Sequence, residues 1–235
     1  MTDRRAAFYV RHGSKTADFI SLLHLPYTLW HLSYVVIGAA LAETLDGMIL
    51  IGTFVAFAVG LGIGAHALDE VKSRPLATTL SDRTLWLLGS GAMVVSAGIA
   101  VVGAFVVSPG VALWGVAGVV LAVGYALEWP VVHTDPGFAL AWGGFPVLVG
   151  YWAQTRSISA AVVVVAAAAT LLSLVQRTLS TPARFVRRRT ERAVVSFDGA
   201  PQWERADLLR TWETPLRLLA ATAVALAIGL LLTHL

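Results

Sequence analysis

The chain predicts an all-α fold, a polytopic membrane bundle of about seven transmembrane helices. Three observations carry this reading. Hydrophobic residues fill 57% of the 235 positions and charged residues only 13%, about half the roughly 25% charge of an ordinary soluble domain. The mean hydropathy is +0.75. The apolar residues fall into runs near the ~20 residues that a helix needs to cross a hydrocarbon core.

The runs cover residues 21–42, 47–65, 84–107, 110–127, 138–153, 157–175 and 216–232. The fifth is short and holds Pro146, which predicts a tilt or a kink. Residues 1–20 form a polar N-terminal segment that lacks the apolar core of a signal peptide; it reads as a short helix along the membrane face. Residues 177–215 are the one long polar stretch, rich in Arg with Phe185, Val194, Val195, Phe197 and Trp203 scattered through it. A surface-lying helix and loop on anionic lipid is the expectation there, and a lid over a substrate mouth is the alternative. No linker or internal repeat divides the chain, so residues 1–235 form a single integral membrane domain.

Lys and Arg set the orientation. They concentrate before span one (Arg4, Arg5, Arg11, Lys15), after span two (Lys72, Arg74, Arg83) and after span six (Arg177 to Arg217); of the 17, Arg156 alone falls on the other side. Alternation through seven spans puts these segments on one face, which the positive-inside rule makes cytoplasmic. The N-terminus and the loops after spans two and four are then cytoplasmic, in a multi-pass protein of the cell membrane. The net charge of +3 does not signal nucleic acid, because the basic residues flank spans. The absence of Cys excludes disulfides and thiolate metal sites. Lys15 and Lys72, the only lysines, lie outside the spans, which excludes a retinal Schiff base in the bundle.

Two ionisable clusters stand out against this apolar background. His66, Asp69 and Glu70 end the second span; Glu128, His133 and Asp135 follow the fourth. Ionisable groups near a bilayer core are costly and mark function by default. His66 is three residues from Asp69 and four from Glu70, neighbours on a helix face. Such a set suits one cation: imidazole for Fe, Mn or Zn, carboxylate for Mg²⁺ or Mn²⁺. His66, Asp69, Glu70, Glu128 and His133 are the candidate ligands, and His66, Asp69, Glu70 and His133 the candidate catalytic groups. The alternative for the first cluster is surface pairing with Lys72 and Arg74. For the second it is loop polarity, with Asp135 capping span five. In span one, His24, Tyr27, His31 and Tyr34 share a face at i, i+3, i+7 and i+10, a polar stripe turned to the bundle interior. Gly60, Gly62, Gly64, Gly143 and Gly144 predict close helix packing.

The stretch 62–84 resembles the loop after the second span of UbiA-type intramembrane prenyltransferases, where an Asn/Asp-rich motif precedes Arg-Pro-Leu. Asp69 and Arg74-Pro75-Leu76 match it. The run from Trp142 to Ala153 is similar to the family's fifth span, and Tyr125 stands where the family has a loop tyrosine. The resemblance implies a UbiA-like bundle with its N-terminus in the cytoplasm. It also implies an isoprenoid or lipid substrate, Mg²⁺, and substrate contacts from Arg74, Tyr125, His31, Tyr34 and Arg177. The chain departs from the pattern in five places. Ala65-His66 replaces the leading Asn-Asp pair, the last aspartate of that motif is missing from a shortened loop, Glu128 or Trp129 stands where a basic residue is expected after Tyr125, the segment after span six carries no second acidic motif, and the last two spans of the family are absent. Three functions follow as expectations: a divergent UbiA-like enzyme, prenyl transfer from a prenyl diphosphate included; a metal-dependent His/carboxylate oxidoreductase or hydrolase of lipids; and a non-catalytic lipid-binding membrane protein.

Overall fold

The computed structural model describes residues 7–11 and 13–235; Arg4 and Arg5, used above for orientation, lie outside them. The protein is 76% helical with almost no sheet. Among the described residues, five helices are long and apolar enough to cross a membrane, namely Lys15–Ala40, Gly47–Ser73, Asp82–Val106, Ala160–Arg189 and Arg205–Leu232, and Gly110–Ala126 is a shorter apolar helix.

The first of these is broken. Helix α1 (Lys15–Leu22) and helix α2 (Leu25–Ala40) meet at His24, whose φ of 47° is left-handed, a conformation rare outside glycine. Pro26 sits in the first turn of α2, where its missing N–H leaves no bond unmade. Helix α3 (Gly47–Val59) starts from Asp46, whose side chain accepts from the amides of Met48 and Ile49. It continues through a π segment, Gly60–Ala65, into α4 (His66–Ser73). Helices α5 (Asp82–Val106) and α6 (Gly110–Ala126) follow.

Next comes α7 (Asp135–Ala139), a second π segment, Leu140–Gly144, and α8 (Phe145–Thr155). The interruption expected at Pro146 is this π turn, placed just before the proline. Thr134 caps α7 by accepting from the Gly137 amide at 3.0 Å, so Asp135 is the first helical residue rather than the cap.

Helix α9 (Ala160–Arg189) and α10 (Arg205–Leu232) revise the reading of 177–215. The helices run deep into that stretch from both sides, and strands β1 (Val194–Phe197) and β2 (Ala200–Glu204) form an antiparallel hairpin between them. Val195 pairs with Trp203, and the Phe197 and Trp203 rings meet edge to face at 5.3 Å. The hairpin therefore gathers Val195, Phe197 and Trp203 on one face, while Gln202 donates to Ser196 on the other, the face that Val194 also takes; Phe185 stays on α9.

Pairings at the two ends of the bundle fix how the helices run. At one end the Asp46 amide donates to Gln154 (2.9 Å) and His234 contacts the Ala40 carbonyl (2.9 Å). At the other, Asp18 accepts from the Thr79 amide (2.8 Å) and hydroxyl (2.5 Å), and Arg187 clasps Glu213. One core joins α2, α8, α9 and α10 around Trp30, Tyr34, Val147 and Leu216; a second joins the first π segment to α4, α5, α6 and α7. The outward faces are apolar: Phe105 is 89% and Val94 71% exposed. In water each such side chain would cost about 25 cal/mol per Å²; against lipid that penalty vanishes.

The tightest helix contact is α2 on α8. A Cβ on Gly38 would stand 2.1 Å from the Val147 carbonyl oxygen, and one on Gly150 would stand 2.2 Å from that of Val35. Among the glycines expected at helix contacts, Gly143 behaves likewise against Ala169, at 2.5 Å. Gly38→Ala or Gly150→Ala is expected to lower stability by about 1–3 kcal/mol through overpacking, read as a lower unfolding temperature in detergent. Gly52→Ala, with nothing within 4 Å, should leave that temperature unchanged.

Candidate functional site

Both ionisable clusters open on one polar cavity of about 440 Å³ at the arginine-rich end of the bundle. Three walls enclose it. The first comes from the α1–α2 break and α4. The left-handed backbone at His24 turns its ring onto that of His66, the two stacking at 4.1 Å with 12° between planes. Tyr9 Oη lies 3.1 Å from His24 Nδ1. Burial pushes the Tyr9 phenol well above its ordinary range, so the hydroxyl keeps its proton and can donate to that nitrogen. Asp69 lines the same wall, half-buried. It makes no hydrogen bond or ion pair with another described residue.

The second wall is the reverse turn after α6. Glu128, at φ 61°, reverses the chain, and the His133 ring stacks on Tyr125 at 4.5 Å. The floor is His31 beside Phe138 and Trp142. A shared device orients three of the histidines. Nδ1 of His31 donates to the Trp142 carbonyl (2.9 Å), that of His66 to Gly62 (3.2 Å) and that of His133 to Tyr125 (2.8 Å). A neutral imidazole tied this way presents Nε2 as an acceptor.

The third wall is α9, contributing Gln176, Arg177, Thr181, Arg184 and Arg188. Arg177 Nε donates to Asp135 at 2.8 Å, which ties α9 to the start of α7.

The cavity thus gathers His31, His66, Asp69, Tyr125, Glu128, His133 and Arg177 from the residues expected in the site. Three others stand elsewhere. Glu70, expected beside His66 and Asp69, faces away and is fully buried; its carboxylate accepts from the amides of Leu76 (2.9 Å) and Thr78 (2.8 Å). The loop after α4 folds back on the helix end, and its buried amides require an acceptor. Arg74 serves the same loop, donating to the carbonyls of Thr78 and Leu80 and pairing with Asp82. Arg-Pro-Leu is therefore a structural turn in this chain. Tyr34 is buried in the first core, accepting from Trp30 Nε1 at 2.6 Å.

The donor set does not fit Mg²⁺, Fe, Mn or Zn. Such ions need several donors converging on one point. Among the described residues, no group of three or more His, Asp or Glu side chains is placed to hold an ion. Glu70, expected among the ligands, is spent on backbone amides.

Sequence reasoning missed Arg184 and Arg188, whose i, i+7, i+11 spacing with Arg177 was the available signal. It also missed an apolar cleft of about 520 Å³ among α3, α5, α6 and α8. The cleft is lined by Leu61, Ala122 and Ala141, about a turn from the cavity-lining Ala65, Ala126 and Phe138, and Trp142 borders both spaces. Comparison with family models, curated proteins and solved structures finds no match.

Glu70→Ala strands two buried amides, so it is expected to cost about 2–4 kcal/mol and to speed hydrogen exchange at Leu76 and Thr78. Asp69→Asn, one residue away but facing the cavity, should change neither.

Proposed function

We propose that the chain is a divergent UbiA-like integral membrane enzyme acting on an isoprenoid or other lipid with an anionic head. The observation that carries this reading is the convergence of both ionisable clusters and the α9 arginines on one polar cavity, with an apolar cleft about a turn away along the same helices. An amphipathic substrate matches that division: the cavity suits a charged head, and the cleft suits a chain.

The end pairings support seven crossings, the helical run from α7 to α8 counting as the fifth. Asp46 with Gln154 and Ala40 with His234 mark one membrane face; Asp18 with Thr79 and Asp135 with Arg177 mark the other. The arginine-rich face is then cytoplasmic, in the cell membrane, and the cavity opens there. The partners are the bilayer and a lipid substrate, with no role for nucleic acid.

Prenyl transfer is the reaction that the resemblance implies. The bond between the prenyl carbon and the diphosphate oxygen breaks, a bond from the acceptor nucleophile forms, and the acceptor proton passes to a base. Asp69 is the base favoured here: it lines the cavity one helical turn from His66 on α4 and makes no hydrogen bond or ion pair with another described residue.

The test incubates the purified chain in nanodiscs with a prenyl diphosphate and a membrane lipid extract, with products followed by mass spectrometry. A prenylated product is expected, and Asp69→Asn should reduce its rate by about 100-fold or more, the scale of a lost general base, at unchanged unfolding temperature. Thermal stabilisation by the lipid without product would leave a lipid-binding protein in place of an enzyme. The absence of both product and stabilisation would overturn the reading.

A further inference from the structure

The mismatch between the donor set and a divalent cation raises the question of what neutralises an anionic head in the cavity. Helix α9 answers it. Arg177, Arg184 and Arg188 lie at i, i+7 and i+11, one stripe of the helix, and all three line the cavity. Arg177 is already tied to Asp135, but its planar guanidinium carries five N–H donors, and Nε alone meets Asp135. Arg184 and Arg188 have no carboxylate partner among the described residues. The contrast lies on the same helix: Arg187, turned away from the cavity, is bound through two nitrogens to the buried Glu213.

Guanidinium suits phosphate better than any other side chain, since its fork donates two parallel hydrogen bonds to two oxygens of one group. The cavity is lined by Arg177, Arg184, Arg188 and Arg189 against Asp69 and Glu128, so an excess of positive charge remains even with Arg177 paired to Asp135. A cavity of about 440 Å³ is within the ~300–1,000 Å³ of small-molecule sites.

Resting on the lipid-enzyme reading above, we propose that Arg177, Arg184 and Arg188 hold the phosphate oxygens of the ligand directly, with no divalent cation between protein and phosphate. The ligand class is a phosphate or diphosphate ester, and its source is either a phosphorylated isoprenoid lipid or the free anion. The carboxylate that a bridging metal would need beside Asp69 has been reassigned: Glu70 holds the loop, while Asp69 and Glu128 line the cavity from separate walls.

The experiment titrates the full chain in phosphatidylcholine nanodiscs with inorganic diphosphate, with farnesyl diphosphate and with farnesol, each in EDTA and again in Mg²⁺. The expected result is diphosphate binding of equal affinity in EDTA and Mg²⁺. Arg184→Ala should weaken it about tenfold or more, as the loss of a charged hydrogen-bond donor predicts. Arg184→Lys should recover only part of that loss, Asp69→Asn should bind at least as tightly as the unaltered chain, and Arg192→Ala, outside the cavity, should change nothing. If Arg184→Ala does not fold, Arg188→Ala carries the same expectation. Tighter binding of farnesyl diphosphate than of inorganic diphosphate assigns the site to a lipid head, and equal binding assigns it to the free anion; both outcomes support direct arginine contact. Binding that requires Mg²⁺ and disappears in Asp69→Asn overturns the proposal while leaving the lipid-enzyme reading standing. Binding of farnesol with neither diphosphate also overturns it and leaves an isoprenoid site. Binding of none of the three overturns both.

Discussion

A charged or hydrogen-bonding side chain at the level of the hydrocarbon has only one favourable direction, inward. The cost of facing it toward lipid is several kcal/mol, and the arrangement of this protein's polar end follows from avoiding it. His24 at the α1–α2 break, His31 on α2, His66 and Asp69 on α4 and His133 in the turn after α6 all line the same interior space. The outward faces of α5 and α6 are left to Val, Leu and Phe. The cavity is the common solution for polar groups that cannot point outward.

That solution depends on a loop held shut by charge. Glu70 accepts two backbone amides and Asp18 accepts the amide and hydroxyl of Thr79, so two buried carboxylates satisfy the segment after α4. With the loop pinned, Asp69 and His66 are left facing the cavity. Opposite them, Arg177 with Asp135 fixes α9 against α7. Two short connections thus set the distance between the walls, and the π segments before α4 and α8 turn the following residues to their places.

Much of this was legible in the sequence. The apolar runs located the helices, because hydrocarbon tolerates few charges, and the Lys and Arg bias placed both ionisable clusters at one end. Periodicity put His66 and Asp69 on one helix face, and both line the cavity. It failed for Glu70, because helical spacing treats a carboxylate as a free side chain and cannot see the backbone amides of a returning loop. It failed for Arg74 for the same reason. The stripe His24, Tyr27, His31 and Tyr34 reaches the cavity only through its first three members, since Tyr34 finds a partner in Trp30 first. The stretch 177–215 misled because arginine density suggests a surface loop, whereas long guanidinium side chains are also compatible with a helix that continues past the membrane and lines a cavity.

The end of α4, the turn after α6 and the face of α9 line a single space, and every role given above to the polar end depends on it. The chain contains no Cys, so cysteines can be placed in pairs without altering the background. Ser73, His133 and Thr181 each line a different wall. With Ser73→Cys, His133→Cys and Thr181→Cys combined two at a time in native membranes, a short bifunctional thiol reagent should bridge all three pairs within one chain. Bridging of positions 133 and 181 alone, with position 73 unreactive toward both, would mean that the two ionisable clusters do not meet, and would contradict the account.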